Sequence, residues 1–292
     1  MRVFVTGATG FVGMPTVKEL IAAGHQVLGM ARSDEGEKSL AVLGADVHRG
    51  SLEDLDSLRA GAADADAVIH LGFVHDWENF ARSCEVDRRA IEALGSVLAG
   101  SDKLLIATAG TAGLAGPGRI ATEDDDVPPD FPFPRVSEQT ARSLKGVRAA
   151  IVRLPQVHNT VRQGLLTYAV AMAREKGVSA YVGEGGNRWA AAHISDVARL
   201  YRLVLEKNEA GAKYHAVAEE GVPMRDIAEA IGRRLNVPVK SVSAEEAPAH
   251  FGWLARFAGH DLVASSEKTR KALGWNPTGP GLIADLERLD VS

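Results

Sequence analysis

Short apolar, β-branched runs alternate with stretches of helical apolar spacing through the first half of the chain. Residues 2–6 (RVFVT) read as a buried strand. Residues 11–23 carry Phe11, Val12, Val17, Leu20 and Ile21 at the spacing of one helix face. Gly24 stands where a helix commonly ends. Residues 25–31 and 45–48 read as the second and third strands, separated by a short helix through 38–43. A short helix over 54–59 leads to a fourth strand at 67–71 (AVIHL), and a longer helix runs from about 80 to 98. Residues 103–108 (KLLIAT) and 147–154 (VRAAIVRL) give the fifth and sixth strands. Strands separated by helices pair in parallel, because parallel neighbours need a long crossover. Their near-continuous apolar character fits a sheet covered on both faces. The pattern predicts an α/β fold: a Rossmann-type doubly wound parallel sheet.

After Leu154 the pattern loosens. Residues 164–176 read as a helix, 178–182 as a strand and 183–187 (GEGGN) as a turn. A helix over 195–206 opens with Ser195 and Asp196, favourable N-terminal residues. Further helices are expected at 224–235 and 265–273. The division that follows is a nucleotide-binding domain over 1–157 and a smaller C-terminal α/β lobe over 158–292. Residues of about 190–217 are expected to return to the first domain. Between the fifth strand and the next helix, residues 109–134 form a long irregular stretch with GPG at 116–118 and EDDD at 123–126. Loops of that length inside a compact domain are usually functional.

Composition narrows the class without naming a chemistry. The 292 residues are 46% hydrophobic and 24% charged, with a net charge of −5, an ordinary globular profile. One cysteine, Cys84, excludes an internal disulfide framework and a cysteine-cluster metal site. The acidic balance argues against a nucleic-acid surface. No apolar run approaches the ~20 residues of a membrane span, and the chain starts on a strand rather than a signal helix. A cytoplasmic protein with a small-molecule substrate is expected, with no nucleic-acid or membrane partner.

The motif that carries chemistry is Thr6-Gly7-Ala8-Thr9-Gly10-Phe11-Val12-Gly13, which closes the first strand and opens the first helix. Gly7 permits the tight turn, Gly10 lets backbone approach a pyrophosphate, and Gly13 lets the helix pack on the sheet. The helix N-terminus offers free N–H groups to phosphate. With Thr9, Phe11 and Val12, these glycines form the expected cofactor turn. TGATGFVG resembles the TGxxGxxG signature of extended short-chain dehydrogenases/reductases, the NAD-dependent epimerase/dehydratase branch. The resemblance continues at 66–71 (DAVIHL), 152–154 (VRL), 193–200 (HISDVARL) and 273–277 (LGWNP). It implies a nucleotide domain, a C-terminal substrate lobe with the active site between them, and a homodimer.

Cofactor choice rests on the end of the second strand, where NAD-selective sites place an acid on the ribose 2′-OH. Here Arg32 and Ser33 follow the strand, a pair suited to a 2′-phosphate. NADP is therefore favoured, with NAD open through Asp34 or Glu35. The resemblance implies an adenine contact after the third strand, where Ser51 and Leu52 stand. Leu71 and Gly72 are expected along the cofactor's far side, and Thr108 at the end of the fifth strand.

Activity in the family rests on an Asn, a Ser/Thr and a Tyr-x-x-x-Lys pair, and the chain departs at each. Ala109 occupies the hydroxyl position, flanked by Thr108 and Thr111; Pro134 and Glu138 align with the Tyr and Lys; Asp87 stands for the Asn. None of the tyrosines is followed four residues later by Lys. The chain resembles the catalytically divergent members. Substitute candidates are His158, the ionisable group after the sixth strand suited to proton transfer near neutral pH, or else a structural histidine; Thr111; and Glu138, either a base or a partner of Arg135. His193 and Asp196 read as positional. Arg188 and Trp189 are either substrate-binding or interlobe packing, and residues 123–126 either a cation site or solvated charge. No metal-ligand spacing occurs. Three functions remain: an NADP(H)-dependent oxidoreductase on a small carbonyl or alcohol, a non-catalytic NADP(H) sensor or scaffold, and a sugar-nucleotide epimerase or dehydratase.

Overall fold

The six apolar runs of the first half lie side by side in one sheet. In the computed structural model, which describes residues 1–116, 118–128 and 135–290, the chain opens with β1 (Arg2–Thr6), α1 (Gly13–Ala22), β2 (Gln26–Ala31), α2 (Asp34–Val42), β3 (Asp46–Arg49) and α3 (Leu55–Ala63). It continues through β4 (Ala67–His70), α4 (Phe80–Leu98), β5 (Leu104–Gly110), α5 (Ser137–Ser143) and β6 (Arg148–Leu154). The second half holds β7 (Gln156–His158), α6 (Leu166–Lys176), β8 (Ser179–Val182), β9 (Arg188–His193) and α7 (Ile194–Lys207). Then come β10 (Lys213–His215), β11 (Glu219–Pro223), α8 (Met224–Leu235) and β12 (Val239–Val242). The chain closes with α9 (Ala247–Phe251), a 3-10 turn at Gly252–Leu254, α10 (Ala255–Ala258), α11 (Glu267–Leu273) and α12 (Leu282–Glu287).

The parallel central sheet has the order β10-β6-β5-β4-β1-β2-β3, the doubly wound arrangement whose ligands sit beyond the carboxyl ends of the strands. One face packs Val17 and Leu20 of α1 and Leu200, Tyr201 and Val204 of α7 against the strands. The other packs Leu58 of α3, Ile91 and Leu94 of α4 and Ala141 of α5. Two helix starts follow from local chemistry: Ser33 Oγ accepts from Gly36 N, and Asp54 Oδ1 from Ser57 N, satisfying orphan N–H groups. Asn208 and Asn236 end α7 and α8 at φ of 52° and 54°, the left-handed cap that asparagine tolerates.

Boundaries move where the turn chemistry wins. Helix α1 starts at Gly13 rather than Phe11, because Gly10 N donates to Gly7 O at 2.9 Å and keeps the preceding residues in the turn. Helix α2 starts four residues before the expected position because Ser33 caps it. The apolar pattern assigns no element to 208–223 or 236–264; β10, β11, β12, α9 and α10 lie there. These pieces are three to five residues long, too short for a period to register.

Residues 190–217 contribute both to the central sheet and to the smaller sheets. Helix α7 packs on α1 and β10 joins the central sheet beside β6, while β11-β9-β7 and β12-β8 form small sheets in the lobe. The lobe core gathers Trp189, Ile227, Ile231 and Phe251 with Leu282 and Leu286. Asp196 earns its place in α7 by holding the tail: its carboxylate accepts from Thr278 N and Gly279 N, and its carbonyl from Trp275 Nε1. The acidic run is solvated only in part: Asp124 and Asp126 are exposed, while the others are tied into the fold. Glu123 is buried and accepts from Thr269 N and Oγ1, Asp125 pairs with Arg119, and Asp126 with Arg142 and Lys213. The long loop is thereby clasped to the sheet edge and to α11. Among the described residues no helix is long and apolar enough to cross a membrane, and no cluster of His, Cys, Asp and Glu could hold a metal.

Candidate functional site

A cavity of about 650 Å³ lies at the carboxyl ends of β1, β4, β5 and β6 and runs to the lobe. The glycine turn forms its floor: Gly7, Thr9, Gly10, Phe11, Val12 and Gly13 all line it. Gly7 sits at φ +65°, and a Cβ there would meet Gly72 N at 2.7 Å. A Cβ on Gly13 would lie 2.0 Å from Gly7 O. The turn thus presses against both β4's exit and its own helix, leaving bare backbone facing the cavity. No side chain caps α1; Met14 N and Thr16 N already donate to Gly10 O and Val12 O, so the N–H groups that face an anion are those of the turn just before them. Leu71 and Gly72 line the neighbouring wall.

At one end of the cavity, Arg32, Ser51 and Leu52 line the space after β2 and β3. Among the described residues Arg32 has no hydrogen bond or ion pair, whereas Asp34 is engaged by Arg49 at 2.8 Å. Ser33 departs from its expected place: it does not line the cavity, and its Oγ is the cap of α2. These residues fit a dinucleotide, with phosphates on the α1 turn and an adenosine end beside Arg32.

The expected catalytic residues are only partly brought together. Thr108 lines the cavity, but its hydroxyl donates to His70 O at 2.8 Å and is 2.7 Å from Tyr201 OH. Tyr201 is wholly buried, and burial raises its phenol above the ordinary tyrosine value. Thr111 also lines the cavity, and among the described residues its hydroxyl is bonded only to Leu154 O at 3.5 Å, too long to commit the proton. His158 is fully buried and does not line the cavity; its Nδ1 lies 2.7 Å from Asp285 Oδ2 on α12. Burial, which outweighs the pull of Asp285, pushes its imidazole below the usual histidine value. It ties β7 to the lobe and is out of a substrate's reach. Glu138 is no free base: it grips the fully buried Arg153 through two bonds of 2.6 and 2.7 Å. Its partner is therefore Arg153, not Arg135. Pro134, the residue aligned with the family's tyrosine, lies outside the described residues.

A buried polar chain that sequence reasoning missed ends on Arg135. Thr6 Oγ1 lies 2.8 Å from His70 Nδ1, His70 Nε2 lies 3.1 Å from Asp87 Oδ1, and Ser137 Oγ donates to Asp87 Oδ2 at 2.5 Å. Arg135 Nε then donates to Ser137 Oγ at 2.8 Å, and its Nη2 to Thr108 O at 3.1 Å. Asp87, which stands at the family's Asn position, thus acts as the anchor of Ser137. Burial alone would raise its carboxyl. The hydrogen bond and charge of His70, the charge of Arg135 and the Ser137 hydroxyl together hold it below the ordinary aspartate value. A depressed folded-state pKa stabilises the fold above the unfolded value, and that stability is lost as pH falls through the folded one. Thermal melts from pH 7 to pH 3 should therefore show a smaller acid-induced loss in Asp87→Asn than in the wild type. Parallel curves would remove Asp87 from the acid transition.

The wall opposite the turn is aromatic. Two residues separate β4 from Phe73-Val74-His75-Asp76-Trp77, and Phe73, His75, Trp77 and Phe80 line the cavity with Tyr168 and Phe257 from the lobe. Trp77 stacks on Trp253 at 4.2 Å and on Phe80 at 5.1 Å, and Tyr168 meets Trp253 edge-on. The signal was present in the sequence: aromatic residues shortly past a strand's carboxyl end belong at the ligand crevice. Burial and the charges of Arg135 and Arg162 push the His75 imidazole below its ordinary value, which favours its neutral form.

Comparison with known proteins agrees with this geometry. Residues 3–218 match the NAD dependent epimerase/dehydratase family. An uncharacterized protein of Schizosaccharomyces pombe is 47% identical over 98% of both chains. A 4-hydroxy-2-methyl-3-oxo-4-farnesyl-3,4-dihydroquinoline-1-oxide ketoreductase of Stigmatella aurantiaca is 24% identical, covering 100% of this chain and 95% of its own. The UDP-glucose 4-epimerase of Thermus thermophilus, solved in complex with NAD, superposes with a TM-score of 0.76. It is 19% identical, over 98% of this chain and 97% of its own.

Proposed function

Because the chain belongs to the NAD-dependent epimerase/dehydratase family, we propose that it is an NADP(H)-dependent oxidoreductase of a small carbonyl or alcohol substrate with a non-standard active site. The observation that carries this reading is the continuous cavity. It runs from the α1 turn past Thr108 and Thr111 to an aromatic wall built partly from the lobe. A protein that only sensed its cofactor would need no such second compartment. The bound dinucleotide supplies the hydride; the chain supplies position and a shielded site. Thr111, with an uncommitted hydroxyl, is the donor placed to orient a substrate oxygen. Sugar-nucleotide epimerisation ranks lower, since the proton-transferring Tyr-x-x-x-Lys pair that the resemblance implies has no counterpart.

The test begins with NADPH titration by nicotinamide fluorescence, followed by an aldehyde, ketone and quinone panel. Oxidation of NADPH by a panel member supports the reading; tight binding without turnover shifts it to the sensor. Failure to bind either dinucleotide ends both. For cofactor choice, Arg32→Ala removes a charge-assisted contact worth ~1.5–3 kcal/mol, so NADPH affinity should fall about 10- to 100-fold. NADH affinity should change little. Equal effects on the two cofactors would refute the 2′-phosphate contact.

A further inference from the structure

The end of the cavity away from the glycine turn combines interlocked rings with a guanidinium, that of Arg135, that no carboxylate contacts directly among the described residues. We infer that this end binds a flat aromatic molecule carrying a carboxylate, with Arg135 as the residue that holds the anion. The inference rests on the reading that the dinucleotide fills the other end.

The cation is fixed and unspent. Of the five N–H groups of a guanidinium, Arg135 uses one on Ser137 Oγ and one on Thr108 O, leaving three. Its guanidinium carbon sits 4.3 Å over the Phe73 ring, so its plane is set by stacking as well as by hydrogen bonds. Among the described residues no carboxylate pairs with it. The acids that line the cavity are spoken for: Glu138 by Arg153 and Glu53 by Arg82. A second arginine, Arg162, lines the cavity with its guanidinium 5.8 Å from the Phe11 ring centroid, on the side of the glycine turn, so it faces the dinucleotide rather than this end. His75, the titratable group between them, feels both as positive charges. Arg135 thus brings a positive charge to this end that Asp87 offsets only through Ser137, although the chain as a whole carries a net charge of −5. A pre-oriented arginine fork recognises carboxylate in two parallel bonds.

The wall selects the rest of the ligand. Phe73, Trp77 and Tyr168 present rings and ring edges at the distances aromatic pairs favour. Among the described residues the buried Trp77 Nε1 has no hydrogen-bond partner. An aliphatic acid would satisfy Arg135 and leave the wall without a matching surface. A neutral arene would do the reverse.

The probes are trans-cinnamate and its neutral counterpart cinnamyl alcohol, titrated by calorimetry and by quenching of tryptophan emission, with and without saturating NADP⁺. Cinnamate should bind at least tenfold tighter than cinnamyl alcohol and tenfold tighter than hexanoate. Arg135→Gln should weaken cinnamate on the order of tenfold or more, the worth of a hydrogen bond to a charged group. It should leave cinnamyl alcohol and NADPH affinities unchanged. Retained NADPH binding shows that the variant is folded, and Arg135→Lys, which keeps the charge but not the fork, should fall between. Equal binding of acid and alcohol, or wild-type cinnamate affinity in Arg135→Gln, overturns the inference. Cinnamate binding that needs Arg135 in a protein that ignores both dinucleotides would uphold it and sink the oxidoreductase reading instead.

Discussion

Gly13→Ala is expected to weaken NADPH binding about 100-fold while leaving the far-ultraviolet circular dichroism of the protein intact. The added Cβ would stand 2.0 Å from Gly7 O and 2.9 Å from Ala8 Cα. Both are backbone, so no side chain can swing aside; the turn itself must move. Overpacking of this kind costs ~3 kcal/mol, about 100-fold in affinity if the strain falls on the bound state alone. The glycines of the turn should form a graded series. Gly10→Ala is the mildest, with its Cβ 3.0 Å from Gly7 O, a contact relieved by a few tenths of an ångström. Gly7→Ala lies between, since it combines φ +65° with contacts of 2.7–2.8 Å to the backbone of Gly72 and Leu71. A Gly13→Ala protein that binds NADPH normally would mean that the cofactor does not sit on this turn.

That series was legible in the sequence because glycine function is local. The Gly7, Gly10 and Gly13 spacing, the strand before it and the helix after it are all read from consecutive residues. The same holds for the parallel sheet, whose strands are long, apolar and separated by helices. The polar chain from Thr6 to Arg135 is a different kind of object. It joins β1, β4, α4 and α5 across up to 64 residues of separation, and nothing in the neighbourhood of Asp87 announces Ser137. Alignment to the family pattern found the position and read it as a loss. The fold shows a replacement, in which a carboxylate at the Asn position secures a serine and, through it, an arginine.

His158 failed for the complementary reason. Its place after β6 was foreseen, but a three-residue strand, β7, takes it into the lobe's sheet beside β9. There Asp285, 127 residues further on, claims its Nδ1. A histidine's reactivity depends on what faces it, and for short strands register decides that. The reading of cofactor choice stands between these extremes. Arg32 could be read from the strand end, while the engagement of Asp34 by Arg49, which weakens the NAD alternative, needed the fold.

Glu138→Ala should be the most destabilising single substitution near the site, with little need of any ligand to see it. Arg153 is fully buried, and Glu138 supplies both of its close carboxylate contacts, at 2.6 and 2.7 Å. The remaining neighbours give little relief. Asp126 stays 3.7 Å away from it, and His215 accepts from Arg153 Nη1 at 3.1 Å as a neutral ring, its pKa lowered chiefly by burial. Removing one partner of a buried pair leaves an uncompensated charge and costs about 3–5 kcal/mol. The melting midpoint should fall by roughly 10 °C. Removing both is a different matter, because a buried ion pair gains little net stability once the desolvation of both charges is counted. The double variant Glu138→Met with Arg153→Met should therefore recover most of the loss, and a thermal-denaturation double-mutant cycle measures it. If Glu138→Ala melted within a degree of wild type, Glu138 would be free of Arg153 in solution. It would then be available again as the base that its alignment with the family's lysine first suggested.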